Sequence, residues 1–321
     1  MSASSAPTVA ARAAASDGVG EASNRVAEGA AGASVPSERL RVRPAAAPVR
    51  VAFVGSDAVL GCMAPSLDVW GFEFGRLDDG PVDVTVVFDP PRLSTPLRTS
   101  SAGLVLGVLT ERAAEEGWEE TAACFDRIVS FYPALSGQTI AGREVWRAIS
   151  PPVSDSLFGE VRELHARPRV MTIGRWSDHR EHVLMPAKHH HDLFQVVHGV
   201  LGEELAQLLR EFDVGIYVPR DSPAGFAQQV PMHLAAGHLL LACTLEPNHG
   251  LERDIDYLHV SSAEGITWTL DRLARFPEMY QRVRIRGRVK AEQFRASRVF
   301  ARLVHDLLAD VAAFGSPRVA S

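Results

Sequence analysis

Short apolar runs separated by helix-like stretches recur along most of the chain. Val51-Ala52-Phe53-Val54-Gly55 is wholly apolar, rich in β-branching and closed by glycine, the pattern of a parallel strand buried on both faces. Val82 to Phe88 and Arg127 to Tyr132 read as further strands, with a helix-like stretch from Thr110 to Ala123 between them. This alternation predicts a small βαβ domain. Paired prolines in Ser150-Pro151-Pro152-Val153-Ser154-Asp155 then favour an extended connector, which we take as a hinge.

Beyond the hinge the rhythm resumes. Val170 to Ile173, Leu193 to Val197, Val214 to Val218 and Leu239 to Ala242 read as strands, and Glu203 to Phe212 as a helix with Leu205, Leu208 and Leu209 on one face. Such alternation implies a doubly wound sheet that takes its ligand at the carboxyl ends of the strands. The last third is helical, with one stripe of Ile266, Leu270, Leu273 and Phe276 and another of Val299, Leu303, Leu307 and Val311, both read as core packing.

Residues 1–48 contain no aromatic residue and one leucine, Leu40, too little apolar surface to offset the entropy of ordering, and are expected to be disordered. The expected division is therefore a tail over 1–48, a small domain over 49–152, and a larger one over 153–321 that includes the closing helices.

A net charge of −6 supplies no basic field for a polyanion, which argues against a nucleic-acid partner. Cys62, Cys124 and Cys243 are widely spaced and odd in number, which suggests neither disulfides nor a zinc site and fits the cytoplasm. No apolar stretch reaches the roughly 18–20 residues that span a bilayer. His189-His190-His191-Asp192 invites a metal, but neighbouring histidines on an extended segment point to opposite faces and do not converge on one ion.

Two loops carry candidate chemistry. Gly174-Arg175-Trp176-Ser177-Asp178-His179-Arg180 follows a predicted strand, and its two guanidiniums can point together into a crevice and chelate a diphosphate. Either can equally pair with Asp178 or Glu181. Pro219-Arg220-Asp221-Ser222-Pro223-Ala224-Gly225-Phe226 also follows a strand and leads toward a helix near Gln228, whose first amides would suit phosphate oxygens. Leu234-Ala235-Ala236-Gly237 ends a helix closely packed before a buried strand.

Taken in order, Ile173-Gly174-Arg175, Val197-His198-Gly199, Asp213-Val214-Gly215-Ile216, Ala224-Gly225-Phe226 and Ala235-Ala236-Gly237 resemble the C-terminal domain of GT-B glycosyltransferases. The resemblance covers roughly 168–310. It is nearest to the spore-maturation-protein-like branch, continuing through Gly250-Leu251-Glu252 and Asp256-Tyr257-Leu258 to Phe294-Arg295-Ala296-Ser297. It implies an α/β fold of two Rossmann-like domains, the N-terminal one small. It also implies transfer of a hexose-like sugar from a nucleoside-diphosphate donor without cofactor or metal. Arg175 and Arg180 correspond to the family's basic pair on the diphosphate, and Gly225 and Phe226 to its phosphate loop. The family's two glutamates fall on Ala224 and Met232, neither of which can accept from a sugar hydroxyl. Asp221, Gln228, Gln229 and His233 are the nearby substitutes for ribose recognition.

The catalytic base of an inverting transfer takes a proton from the acceptor hydroxyl, and Asp57 after the first strand is the candidate, with Asp68, Glu73 and Asp89 as competitors. A non-catalytic sugar-nucleotide-binding or scaffolding relative is the alternative, motivated by the missing glutamates. The acceptor is unidentified, and the short N-terminal domain suggests a small acceptor site or one completed by a protein partner or a second copy.

Overall fold

The computed structural model describes residues 47–77, 81–89, 102–110, 122, 124–140, 142–165, 167–197, 200–222 and 224–316. The expected tail up to residue 46, most of the helix expected from Thr110 to Ala123, and His198, Gly199 and Pro223 lie outside the described residues.

The strands are β1 (Val49–Val54), β2 (Phe72–Gly75), β3 (Val82–Phe88), β4 (Ala102–Leu109), β5 (Arg127–Ser130), β6 (Thr139–Ile140), β7 (Arg143–Ala148), β8 (Val170–Ile173), β9 (Leu193–Val196), β10 (Val214–Tyr217), β11 (Leu239–Ala242) and β12 (Leu258–His259). The α-helices among the described residues are α1 (Asp57–Met63), α2 (Asp178–His190), α3 (Gly202–Leu209), α4 (Gln229–Ala235), α5 (Ala263–Arg275), α6 (Gln281–Ala291) and α7 (Ala296–Phe314).

The first sheet has the order β2-β1-β3-β4-β5-β7-β6, parallel except for the β6–β7 pair. Its central strands β3 and β4 are apolar on both faces. Val84, Val86, Phe88, Leu106 and Val108 point one way, while Val87, Val105 and Leu109 join Phe125, Ile128 and Val145 on the other. The first face is covered by α7, whose Phe300, Leu303, Val304 and Leu307 are buried against it, with Phe300 edge-on to Phe53 at 4.9 Å. Arg127 pairs with Asp310 and Arg147 with Asp306 (2.7 Å) along the same contact. The closing stripe is thus core as expected, but α7 follows the second sheet in sequence and packs on the first.

The second sheet is wholly parallel, in the order β12-β11-β10-β8-β9. Val170, Val214, Ile216, Leu239 and Leu241 face α2 and α5, while Met171, Val196, Leu240 and Ala242 face α3 and α4. Between the sheets, Pro151 to Ser154 is extended as expected and Asp155 opens a 3-10 turn, yet all five are buried. Val153 exchanges backbone hydrogen bonds with Phe294 (2.7 Å) and Ala296 (2.8 Å), and the Asp155 carboxylate accepts from Ser297 Oγ (2.6 Å) and the Ser66 amide (3.1 Å). The connector is a clamp between layers, because its apolar and polar groups are both satisfied there.

The sequence reading did not include α2 as a helix. His189 and His190 are its last two residues and His191 its C-cap, which corrects the extended reading of the histidine run. On a helix, adjacent positions are about 100° apart and again do not converge.

Candidate functional site

In the second sheet β8 and β10 are neighbours, and the helices that follow them lie on opposite faces, α2 with one core and α4 with the other. A crevice opens at the carboxyl end of such a pair. One lip is Gly174-Arg175-Trp176-Ser177; the other begins Val218-Pro219-Arg220.

Ser177 caps α2, its hydroxyl accepting from the Arg180 amide (3.3 Å) and donating to the Arg220 carbonyl. Arg180 is the third residue of the helix, and its side chain is buried at the carboxyl edge of the sheet. There Nε donates to the Val218 carbonyl (2.8 Å) and Nη1 to the Arg175 carbonyl (2.7 Å). Gly174, at φ 131°, lies directly over this guanidinium, where a β-carbon would overlap it. Burial lowers the Arg180 pKa below the ordinary arginine value. The expectation of two chelating guanidiniums is corrected accordingly: buried donors take the nearest carbonyls, and Arg180 stitches the two lips together. Arg175 is exposed and has no side-chain partner among the described residues. Beside it Trp176, 49% exposed, lies under the Lys188 ammonium at 3.9 Å.

The β10–α4 loop is anchored. The Gly225 amide donates to the Thr244 carbonyl (3.0 Å), so it is not free for a phosphate, which corrects that assignment. A β-carbon at Gly225 would lie 3.5 Å from the Tyr217 hydroxyl. Phe226 packs edge-on to His249 at 4.4 Å and near Phe294 at 6.0 Å, an aromatic plug and not a phosphate contact. Asp221 is exposed, 3.5 Å from Arg220 Nε. The Gln228 amide group donates to the carbonyls of Pro152 and, at 3.4 Å, Cys62. Gln229 Oε1 is buried without a partner among the described residues.

His233 leaves the donor-binding set. Its ring is fully buried against Gly215 of β10, with Nδ1 3.0 Å from His238 Nδ1. His238 Nε2 lies 2.7 Å from the Leu209 carbonyl and must donate to it. In a neutral His238, Nδ1 then accepts, and His233 Nδ1 carries the proton between them. Burial, reinforced by His238, holds the His233 pKa well below the usual value. Met232 is also in the core, 4% exposed.

On the first sheet β1 and β3 are likewise parallel neighbours, and Gly55-Ser56-Asp57 leaves β1 at its carboxyl end. Ser56 caps α1 by accepting from the Val59 amide (3.4 Å), and Asp57 is exposed in the first turn, favoured by the positive helix end. Its competitors have structural work. Asp68 accepts from the Phe74 amide (2.8 Å), Glu73 lies 3.7 Å from Arg50, and Asp89, at φ 42°, accepts from the Thr110 amide (3.0 Å) and hydroxyl.

The sheets meet along these carboxyl edges. A β-carbon at Gly61 of α1 would stand 3.2 Å from the Gly202 amide nitrogen of α3. Burial raises the Tyr217 pKa, opposed by Arg180 and aided by Cys243 and Tyr132 of the opposite sheet. Ser150 Oγ reaches His249 Nδ1 at 2.9 Å. Nothing in the sequence marks His249 or Tyr132, and only its place at the end of a strand points to Tyr217. Hollows of about 170–510 Å³ open elsewhere among the described residues, lined by residues other than Arg175 and Arg180. Among the described residues no group of three His, Cys, Asp or Glu side chains is arranged to hold a metal, and no helix is long and apolar enough to cross a membrane.

No protein-family model matches the sequence, and no curated protein matches it. Solved structures do. An alpha-glucosyltransferase in complex with UDP-glucose and DNA containing an abasic site is 11% identical, with a TM-score of 0.52 over 81% of this chain and 100% of that one. Sucrose-phosphate synthase from Thermosynechococcus elongatus is 11% identical, with a TM-score of 0.50 over 81% and 99%. Anabaena HepE in complex with UDP and glucose is 7% identical, with a TM-score of 0.50 over 81% and 100%. At these identities the likeness is one of fold, and the fold is GT-B: α/β, with two Rossmann-like sheets.

Proposed function

We propose that the chain is a glycosyltransferase of the spore-maturation-protein-like kind, moving a sugar from a nucleoside-diphosphate donor at the second sheet to an acceptor received by residues 49–152. The observation that carries this reading is Arg175, an exposed guanidinium without a protein partner among the described residues, at the β8–β10 exit of a GT-B fold. A diphosphate leaving group gains charge as the glycosidic bond breaks, and a guanidinium at that edge stabilises it by bidentate bonds. Asp57, exposed at the β1 exit, takes the acceptor proton. Asp221 is the exposed carboxylate left on the β10 lip to accept from the ribose. The transfer needs no cofactor, and its place is the cytoplasm.

A second reading, a nucleotide-binding relative without turnover, is favoured by the burial of Met232 and by the close packing of α1 on α3. Donor hydrolysis by the purified protein, with and without sugar acceptors, separates the two when paired with titration by uridine diphosphate. Turnover supports transfer, saturable binding without turnover supports the second reading, and no binding overturns both.

A further inference from the structure

At the amino ends of β8, β9 and β10, the opposite edge of the second sheet, a cavity of about 510 Å³ opens. That is within the range of small-molecule sites, roughly 300–1,000 Å³. Two of its walls are aromatic. Phe194 of β9 and Phe212, just before β10, stack with centroids 5.2 Å apart and planes 29° off parallel. Phe212 is buried and fixes the pair, whereas Phe194 is 47% exposed and offers a flat apolar surface.

Two arginines line the same cavity. Arg169 is already used, its guanidinium 4.8 Å from the centre of the Phe212 ring and 3.2 Å from Glu211. Arg167 is exposed and has no side-chain partner among the described residues. Asp192 is the acidic lining residue, and with Arg169 held by Glu211, Arg167 is the lining cation left to meet an anion.

We propose that this cavity binds a small planar aromatic molecule bearing an anionic group, an aryl phosphate or carboxylate, with its ring on Phe194 and its charge on Arg167. A bare anion would leave the aromatic face unused, and a neutral ring would leave the guanidinium unpaired; one molecule with both features satisfies each. The site is independent of the sugar-transfer reading.

Calorimetric titration of the full chain with phenyl phosphate tests it, with phenol and inorganic phosphate as the separated halves. Phenyl phosphate binds saturably, and each half binds weaker by at least about tenfold, the loss expected for one charge-assisted bond or one ring contact. Arg167→Ala and Phe194→Leu, which keeps the apolar volume, each weaken it by a similar factor at unchanged urea midpoint, and Arg175→Ala leaves it unchanged. Absence of saturable binding, equal binding of inorganic phosphate, indifference to either substitution, or loss on Arg175→Ala overturns the proposal.

Discussion

What a guanidinium does depends on which carbonyls it can reach once water is excluded, and the five-residue separation of Arg175 and Arg180 places them on either side of that condition. Arg180→Ala removes the donors of two lip carbonyls, and unfolding by urea should show a loss of about 2–4 kcal/mol. Arg175→Ala should leave the urea midpoint unchanged and weaken uridine diphosphate binding by about 1.5–3 kcal/mol in a titration. The same logic governs the histidine pair. Burial holds both rings neutral, with pKa values below the ordinary 6.5, and His238 titrates at about 4. Protons therefore bind the unfolded chain first, so this stabilisation is complete above pH 6.5 and shrinks as pH falls. The slope is about 1.4 kcal/mol per pH unit for each ring, and the His238 share is gone by about pH 4. Urea midpoints measured between about pH 7.5 and 4 check this, and a flat profile would contradict it. Gly215→Ala would drive a methyl into the His233 ring, costing about 1–3 kcal/mol in the same measurement. The spacing of the arginines was legible in the sequence. The burial of one was not, because its acceptor, the Val218 carbonyl, comes from a strand 38 residues away.

At the scale of elements, parallel strands announced themselves wherever both faces were apolar, as in β1, β3, β8, β10 and β11. Strand β12 has two residues, too few for a pattern; β2 (FEFG) and β7 (REVWRA) mix charge into their runs, and β4 is interrupted by Gly103 and Gly107. Helix α2 escaped notice because its apolar side is only Val183, Leu184 and Ala187, and Pro186 lies inside it. The connector was recognised as extended, but not as a clamp, since its partners Ser297 and Ser66 are 142 and 89 residues from Asp155. Asp155→Ala leaves those donors unmatched in a buried place, and thermal or urea unfolding should register a loss of about 2–4 kcal/mol.

For the whole molecule, a stripe such as Val299, Leu303 and Leu307 tells that a helix is buried and not against which sheet. The return of α7 to the first sheet, with the clamp at Asp155, makes the described residues from 47 to 316 one compact unit. The crevice edges are fixed by this unit, and Arg175 is the group at its β8–β10 exit with capacity to spare. A crystal of the full chain soaked with uridine diphosphate tests that directly. The account predicts pyrophosphate density between the exits of β8 and β10, within hydrogen-bonding distance of the Arg175 guanidinium; density elsewhere, or an Arg175 that stays unpaired beside a bound nucleotide, would contradict it.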